Sequence, residues 1–140
     1  MRVLVISDIH ANDVALEAVL AHAPAYDAVW CLGDLVGYGP NPNECVERIR
    51  QLPDLVCLTG NHDHAAMGRI PLSRFNTEAS SVVVWTSENL NDDTISFLEN
   101  LPSSTIIGDF TLAHGSPRQP VWEYVMDPRV ADLNFGKLTT

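Results

Sequence analysis

The sequence predicts an α/β domain built on a mixed β-sheet with flanking helices, and three observations carry that prediction. Apolar runs of four or five residues recur along the chain, each bounded by turn residues, as buried strands are. Between the first three runs lie segments with helix caps and helical apolar spacing, so these strands are joined by crossovers and run parallel. A later pair of runs flanks a two-residue turn containing glycine, which reads as an antiparallel hairpin.

The elements follow in order. Val3–Ile6 is the first strand. Asn12 then caps a helix over Asp13 to Ala23, where Leu16, Val19, Leu20 and Ala23 make one apolar stripe. Ala28–Leu32 is the second strand. Asn41-Pro42 supplies a cap and a first-turn proline, Cys45, Ile49 and Leu52 mark the buried face of the next helix, and Pro53 stops it. Leu55–Leu58 is the third strand. Between Asn76 and Asn89 the run Val82-Val83-Val84-Trp85 is β-rich, yet the Asn76 cap and the segment's length favour a helix. Asn91 caps another helix with Ile95, Leu98 and Leu101, ended by Pro102. Thr105–Ile107 and Phe110–Leu112 flank Gly108-Asp109 as a hairpin, whose antiparallel pairing makes the sheet mixed. A short helix over Arg129 to Phe135 closes the chain. With no repeat or linker, residues 1–140 read as a single domain.

Composition narrows the function. Hydrophobic residues are 46% and charged residues 19% of the chain, which suits a packed core and not disorder. The net charge of −10, from 8 basic against 18 acidic residues, repels phosphate backbones and excludes general nucleic-acid binding. A phosphorylated substrate stays compatible, because bound divalent cations dominate the field inside a site. Cys31, Cys45 and Cys57 form no disulfide pattern and fit a reducing compartment. No apolar stretch approaches the ~20 residues of a membrane span, and the first strand meets Asp8 too early for a signal peptide. The expected location is the cytoplasm.

Four of the strands end in side chains that favour metals: Asp8-Ile9-His10, Gly33-Asp34, Gly60-Asn61-His62-Asp63 and His114-Gly115. Ligands of α/β sheets sit just beyond the carboxyl ends of the strands, so Asp8, His10, Asp34, Asn61, His62 and His114 converge if those strands share a sheet. Asp8 and His10 stand two apart and point the same way if the strand persists past Ser7. Together they can clamp one cation, which Asp34 can bridge to a second held by Asn61 and His114. Oxygen and nitrogen donors without thiolates suit Mn²⁺, Fe or Zn²⁺. Two such cations about 3.5–4 Å apart can activate a bridging water for phosphoryl displacement. His62, next to Asp63, can be kept protonated by that carboxylate and assist the leaving oxygen.

In their order and context these motifs resemble the calcineurin-like metallophosphoesterases over nearly the whole chain. The run from Gly33 through Tyr38-Gly39-Pro40-Asn41-Pro42 resembles the small bacterial phosphoesterases of that group. The resemblance implies Asp8 and His10 on one metal, Asp34 bridging, and Asn61 and His114 on the other. It implies His62 acting on the leaving group with Asp63 as its partner. The family's closing Gly-His-x-His motif has no counterpart after His114. The chain therefore reads as the N-terminal portion of the family's two-sheet α/β/β/α sandwich, with three protein ligands left to each metal.

The expected function is that of a metal-dependent phosphoesterase using a hydroxide bridged by two metals. Its substrate class is a phosphorylated small molecule, a nucleotide or a phosphoprotein, cleaved as a monoester or diester. The competing readings are a non-catalytic binding module on the same fold, marked by an empty metal site, and an inert fragment that associates through an exposed sheet face. Among the remaining residues, Asn12 caps its helix, touches substrate, or does both. Arg118 reaches a phosphate or is an ordinary surface arginine. Trp30 and Trp85 are expected in the core and His22 at a helix C-terminus; Trp122 and Tyr124 pack against the sheet or line the cleft, and His64 lies in a solvated loop or touches substrate.

Overall fold

The computed structural model describes residues 1–138. β1 (Val3–Ile6), β2 (Ala28–Cys31) and β3 (Leu55–Cys57) form a parallel ladder in the order β1-β2-β3, with Val5 opposite Trp30 and Trp30 opposite Val56. The connections are the expected crossovers, α1 (Asp13–His22) and α2 (Pro42–Arg50). The expected antiparallel hairpin is also present, β4 (Ser104–Ile107) against β5 (Phe110–Ala113). Parallel and antiparallel pairings are thus both found, divided between two ladders.

β2 is the central strand, and all of its side chains are buried. Alternation along the strand sends Cys31 and Trp30 to opposite faces. Cys31 and Cys57 join Leu16, Leu35, Val36, Cys45, Val46, Ile49 and Leu98 in the main core, where α1, α2 and α5 (Asp92–Glu99) cover one face. On the other face Trp30 and Leu58 pack with Leu112 of the hairpin. The molecule is therefore layered as helices, parallel sheet and hairpin. Arg48 Nε and Nη2 reach the two oxygens of Asp13 at 2.7 and 2.9 Å, which ties α2 to α1.

The helix caps at Asn12, Asn76 and Asn91 form as expected, each side chain accepting an amide hydrogen bond from three residues on. Asn41 starts α2 without a side-chain cap, and the proline behind it supplies the first turn. Asn76 to Asn89 is resolved in favour of the helix, α4 (Thr77–Asn89). That helix buries Ala79, Val83 and Thr86, which share one face, so Trp85 is turned outward and is 42% exposed instead of lying in the core. In α1 only Leu16 is fully buried, and Val19 of the expected stripe is exposed. Two elements absent from the sequence reading are α3 (Asn61–Ala66) and a 3₁₀ turn at Leu72–Arg74. His64 accordingly sits on a helix and not in a solvated loop. α6 (Pro128–Phe135), capped by Asp127, is the last element described.

Val5, Ile106 and Phe110 leave a partly open apolar face on β1 and the hairpin. Among the described residues no helix is long and apolar enough to cross a membrane.

Candidate metal centre

The carboxyl ends of β1, β2 and β3 lie side by side, and the loops leaving them stay bonded to one another. The amide of Asp8 donates to Gly33 O, that of His10 to Asp34 O, and that of Ala11 to Leu35 O, at 2.8–3.0 Å. Asp8 and His10 do come together, but strand alternation is not the cause. β1 stops at Ile6, and Asp8, His10 and Ala11 adopt left-handed backbone angles, with φ of 56°, 50° and 53°. Asp34 and Tyr38 do the same, at 54° and 59°. Non-glycine residues held there cost about 1 kcal/mol or more each, and such strain gathers at functional sites.

Asp34 is the centre of the arrangement. It is almost wholly buried, and its Oδ1 accepts the His62 amide at 2.8 Å. Its Oδ2 lies 3.7 Å from His10 Nε2 and 3.5 Å from His114 Nε2, so one oxygen faces an imidazole on either side. Asp8 Oδ1 is 3.7 Å from the same His10 nitrogen. Asn61 Oδ1 is 3.1 Å from His114 Nε2. His114 is carried here by the hairpin, and its Nδ1 meets Leu32 O at 3.1 Å, while His10 Nδ1 meets Val36 O at 3.2 Å. A carbonyl only accepts, so each Nδ1 is the donor here, and in the neutral ring each Nε2 presents its lone pair inward.

Cations fit these donors. Asp8, His10 and Asp34 offer ligand atoms all within 4.8 Å of one another. His114 Nε2 and Asn61 Oδ1 lie 3.1 Å apart, close enough to share one cation. Burial, together with the charges of Asp63 and Asp8, pushes the Asp34 carboxyl up to about 8. The bare pocket thus concentrates more negative charge than it can hold comfortably, and a bound cation relieves it. Fixing each imidazole through its outer nitrogen is the usual support of a metal-binding histidine.

The expected pairing of His62 with Asp63 is not what the fold builds. Asp63 is wholly buried at the third position of α3 and turns away to the backbone. Its Oδ2 accepts the amides of Asp34 and Gly60 at 2.8 and 2.9 Å, and its Oδ1 accepts those of Leu35 and Val36 at 2.9 and 3.0 Å. Burial pushes this carboxyl up while those amides pull it back. His62 is oriented by rings, with centroids of His10, Tyr38 and Phe75 at 4.8, 4.7 and 5.1 Å. Its Nδ1 is buried without a hydrogen-bond partner. Burial and the nearby His10 and His114 lower its pKa to about 4, so the resting ring is neutral and not protonated.

Close packing explains one glycine here. A Cβ on Gly60 would strike Asp34 Oδ1 and lie 2.5 Å from the Asp34 amide nitrogen. Gly60→Ala should therefore push Asp34 out of place, costing about 2–3 kcal/mol and most of the metal affinity. Urea unfolding and metal content of the purified variant check this.

The site opens into a cleft of about 400 Å³ lined by Asp8, His10, Asp34, Asn61, His62 and His114 together with Tyr38, Trp122 and Tyr124. Trp122 and Tyr124 thus face the cleft rather than pack against the sheet. Arg118 is not among its lining residues. Its Nη2 pairs with Glu123 Oε1 at 3.4 Å, and its amide donates to Asn134 Oδ1, so it belongs to the contact between α6 and the loop after β5. Asn12 acts as a cap, accepting from Ala15 at 3.0 Å. The residue that sequence reasoning missed is Tyr38. An aromatic flanked by Gly37 and Gly39, a few residues after the Gly33-Asp34 cluster, is the signal that could have found it.

A family model described as calcineurin-like phosphoesterase matches residues 1–136. The structure is similar to a crystal structure of a metallophosphoesterase from Sphaerobacter thermophilus, with 51% identity and a TM-score of 0.88, covering 100% of this chain and 57% of that one. An uncharacterized protein of Methanocaldococcus jannaschii is 41% identical over 97% of this chain and 59% of its own length. A symmetrical bis(5′-nucleosyl)-tetraphosphatase of Chromohalobacter salexigens is 37% identical over 75 residues, 50% of this chain and 28% of its own. The chain therefore spans less than two thirds of the length of these relatives.

Proposed function

This chain belongs to the calcineurin-like phosphoesterase family, and on that premise we propose that it serves a dinuclear metal-dependent phosphoesterase. The observation that carries the reading is Asp34 Oδ2, set 3.7 and 3.5 Å from the inward nitrogens of two histidines on different loops. Asp8, His10 and Asp34 would hold one cation, and Asp34, Asn61 and His114 the other. The donor set favours Mn²⁺ or Fe, with Zn²⁺ compatible. Bound there, divalent cations supply Lewis-acid polarisation of phosphoryl oxygens and acidify water.

The remaining work falls to the chain's own residues. Asp34 is held at one oxygen by the His62 amide, so its other oxygen keeps a fixed aim between the two histidines. The outer hydrogen bonds of His10 and His114 fix the ring orientations that aim their inner nitrogens at Asp34. His62 is neutral at rest, and a phosphate dianion entering the cleft is the charge that raises its proton affinity beside the leaving oxygen. Likeness to proteins named tetraphosphatases supports a phosphorylated small molecule or nucleotide as substrate. Free, buried cysteines fit a reducing compartment such as the cytoplasm.

Two measurements test this. The purified protein should take up about two transition-metal ions per chain, and Mn²⁺ should stimulate hydrolysis of bis-p-nitrophenyl phosphate. An empty site together with no hydrolysis would sink the proposal. His62→Ala should slow poor leaving groups about 10²-fold while keeping its metal. Loss of metal from that variant would instead make His62 a ligand.

A further inference from the structure

Two aromatic rings stand open in the metal cleft. Tyr38 is 53% exposed and Tyr124 70% exposed, and both line the cleft that holds Asp34 and His114. Tyr38 meets the rings of His10 and His62 at centroid distances of 4.8 and 4.7 Å, yet half of its surface remains in solvent. Its backbone is left-handed, with φ of 59°, and the contacts with His10 and His62 set where its ring stands.

Trp122 also lines the cleft, and its ring is already engaged. Arg74 lies 4.3 Å over it and Phe75 meets it edge-on at 5.2 Å. Phe75 in turn contacts His62. A continuous series of rings therefore runs from His10 to Trp122, and Tyr38 and Tyr124 are the exposed aromatics of the cleft. The cleft thus joins two chemistries. Carboxylates and imidazoles at its base suit cations and the anion they attract, while the aromatic faces suit a flat, apolar group attached to that anion.

We infer that the substrate's leaving group is planar and aromatic, a nucleobase-bearing or aryl group, stacked on Tyr38 and Tyr124 while its phosphoryl group faces Asp34. This rests on the phosphoesterase reading and adds a substrate class to it. Tyr38 and Tyr124 are specificity residues on this account, acting on binding and not on proton transfer.

Calorimetric titration of the Mn²⁺-loaded protein with phenylphosphonate and with methylphosphonate tests the inference. The two probes carry the same anionic head on a carbon–phosphorus bond that phosphoester hydrolysis does not touch. Phenylphosphonate should bind about tenfold more tightly, Tyr38→Phe should keep that ratio, and Tyr38→Leu or Tyr124→Leu should bring it to about threefold or less. Equal binding of both probes by the unaltered protein overturns the aromatic assignment while the metal reading stands. Binding of neither removes both. Should Tyr38→Leu lose affinity for both probes through misfolding, Tyr124→Leu, outside the left-handed turn, decides the matter.

Discussion

Asp34→Asn is expected to abolish Mn²⁺-stimulated hydrolysis, a fall of about 10³-fold or more, with loss of at least one bound metal per chain. The substitution is nearly isosteric, and asparagine still offers Oδ1 to the His62 amide, so the loop keeps its main restraint. What disappears is the negative oxygen shared between His10 and His114. The same variant should gain stability when metal is stripped away. In the metal-free protein, burial and the charges of Asp63 and Asp8 act against the Asp34 carboxylate, and a neutral amide escapes both. Thermal unfolding in excess chelator should place the variant above the unaltered protein, and elemental analysis should place it below in bound metal. Full turnover in the variant would refute the shared role of Asp34.

Asp63→Asn should cost about 3 kcal/mol or more of folding stability and disrupt the metal site from behind. The carboxylate accepts four buried amides. An asparagine can keep two of these on its oxygen, but its NH₂ then faces two other donors, so the remaining amides are left buried without acceptors. Because those amides belong to Gly60, Asp34, Leu35 and Val36, the loss falls on both loops that carry Asp34 and Asn61. Denaturant midpoints and metal content should drop together. A variant with normal stability and merely slower catalysis would return Asp63 to its expected role as the partner of His62.

Most of the element order was readable from local signals. Asparagine caps, prolines at helix ends and short apolar runs act within a few residues, and β1–β3, the hairpin and α4 follow from them. The gathering of Asp8, Asp34 and Asn61 was also readable, because the parallel strands β1–β3 must end on one edge, whereas His114 arrives from the separate hairpin ladder, which that rule does not place. What escaped depends on distance in sequence. Asp63 reaches amides 27 to 29 residues away, and no local pattern separates that from contact with the adjacent His62. The start of α3 was hidden because Gly60-Asn61 reads as a turn until Asp63 folds back onto the Gly60 amide. Asp8 and His10 converge through left-handed turns, a backbone choice that neither residue type announces. Trp85 faces outward because Ala79, Val83 and Thr86 already fill the buried side of its helix.

The carbonyls of Val36 and Leu32 grip the two imidazoles, and Asp63 staples their supporting loops, using contacts internal to the polypeptide. An arriving ion therefore meets Asp8, His10 and Asp34 already set in place. Exchange of one divalent species for another should then run at the pace of ligand and water substitution, leaving the chain's shape and its melting cooperativity unaltered.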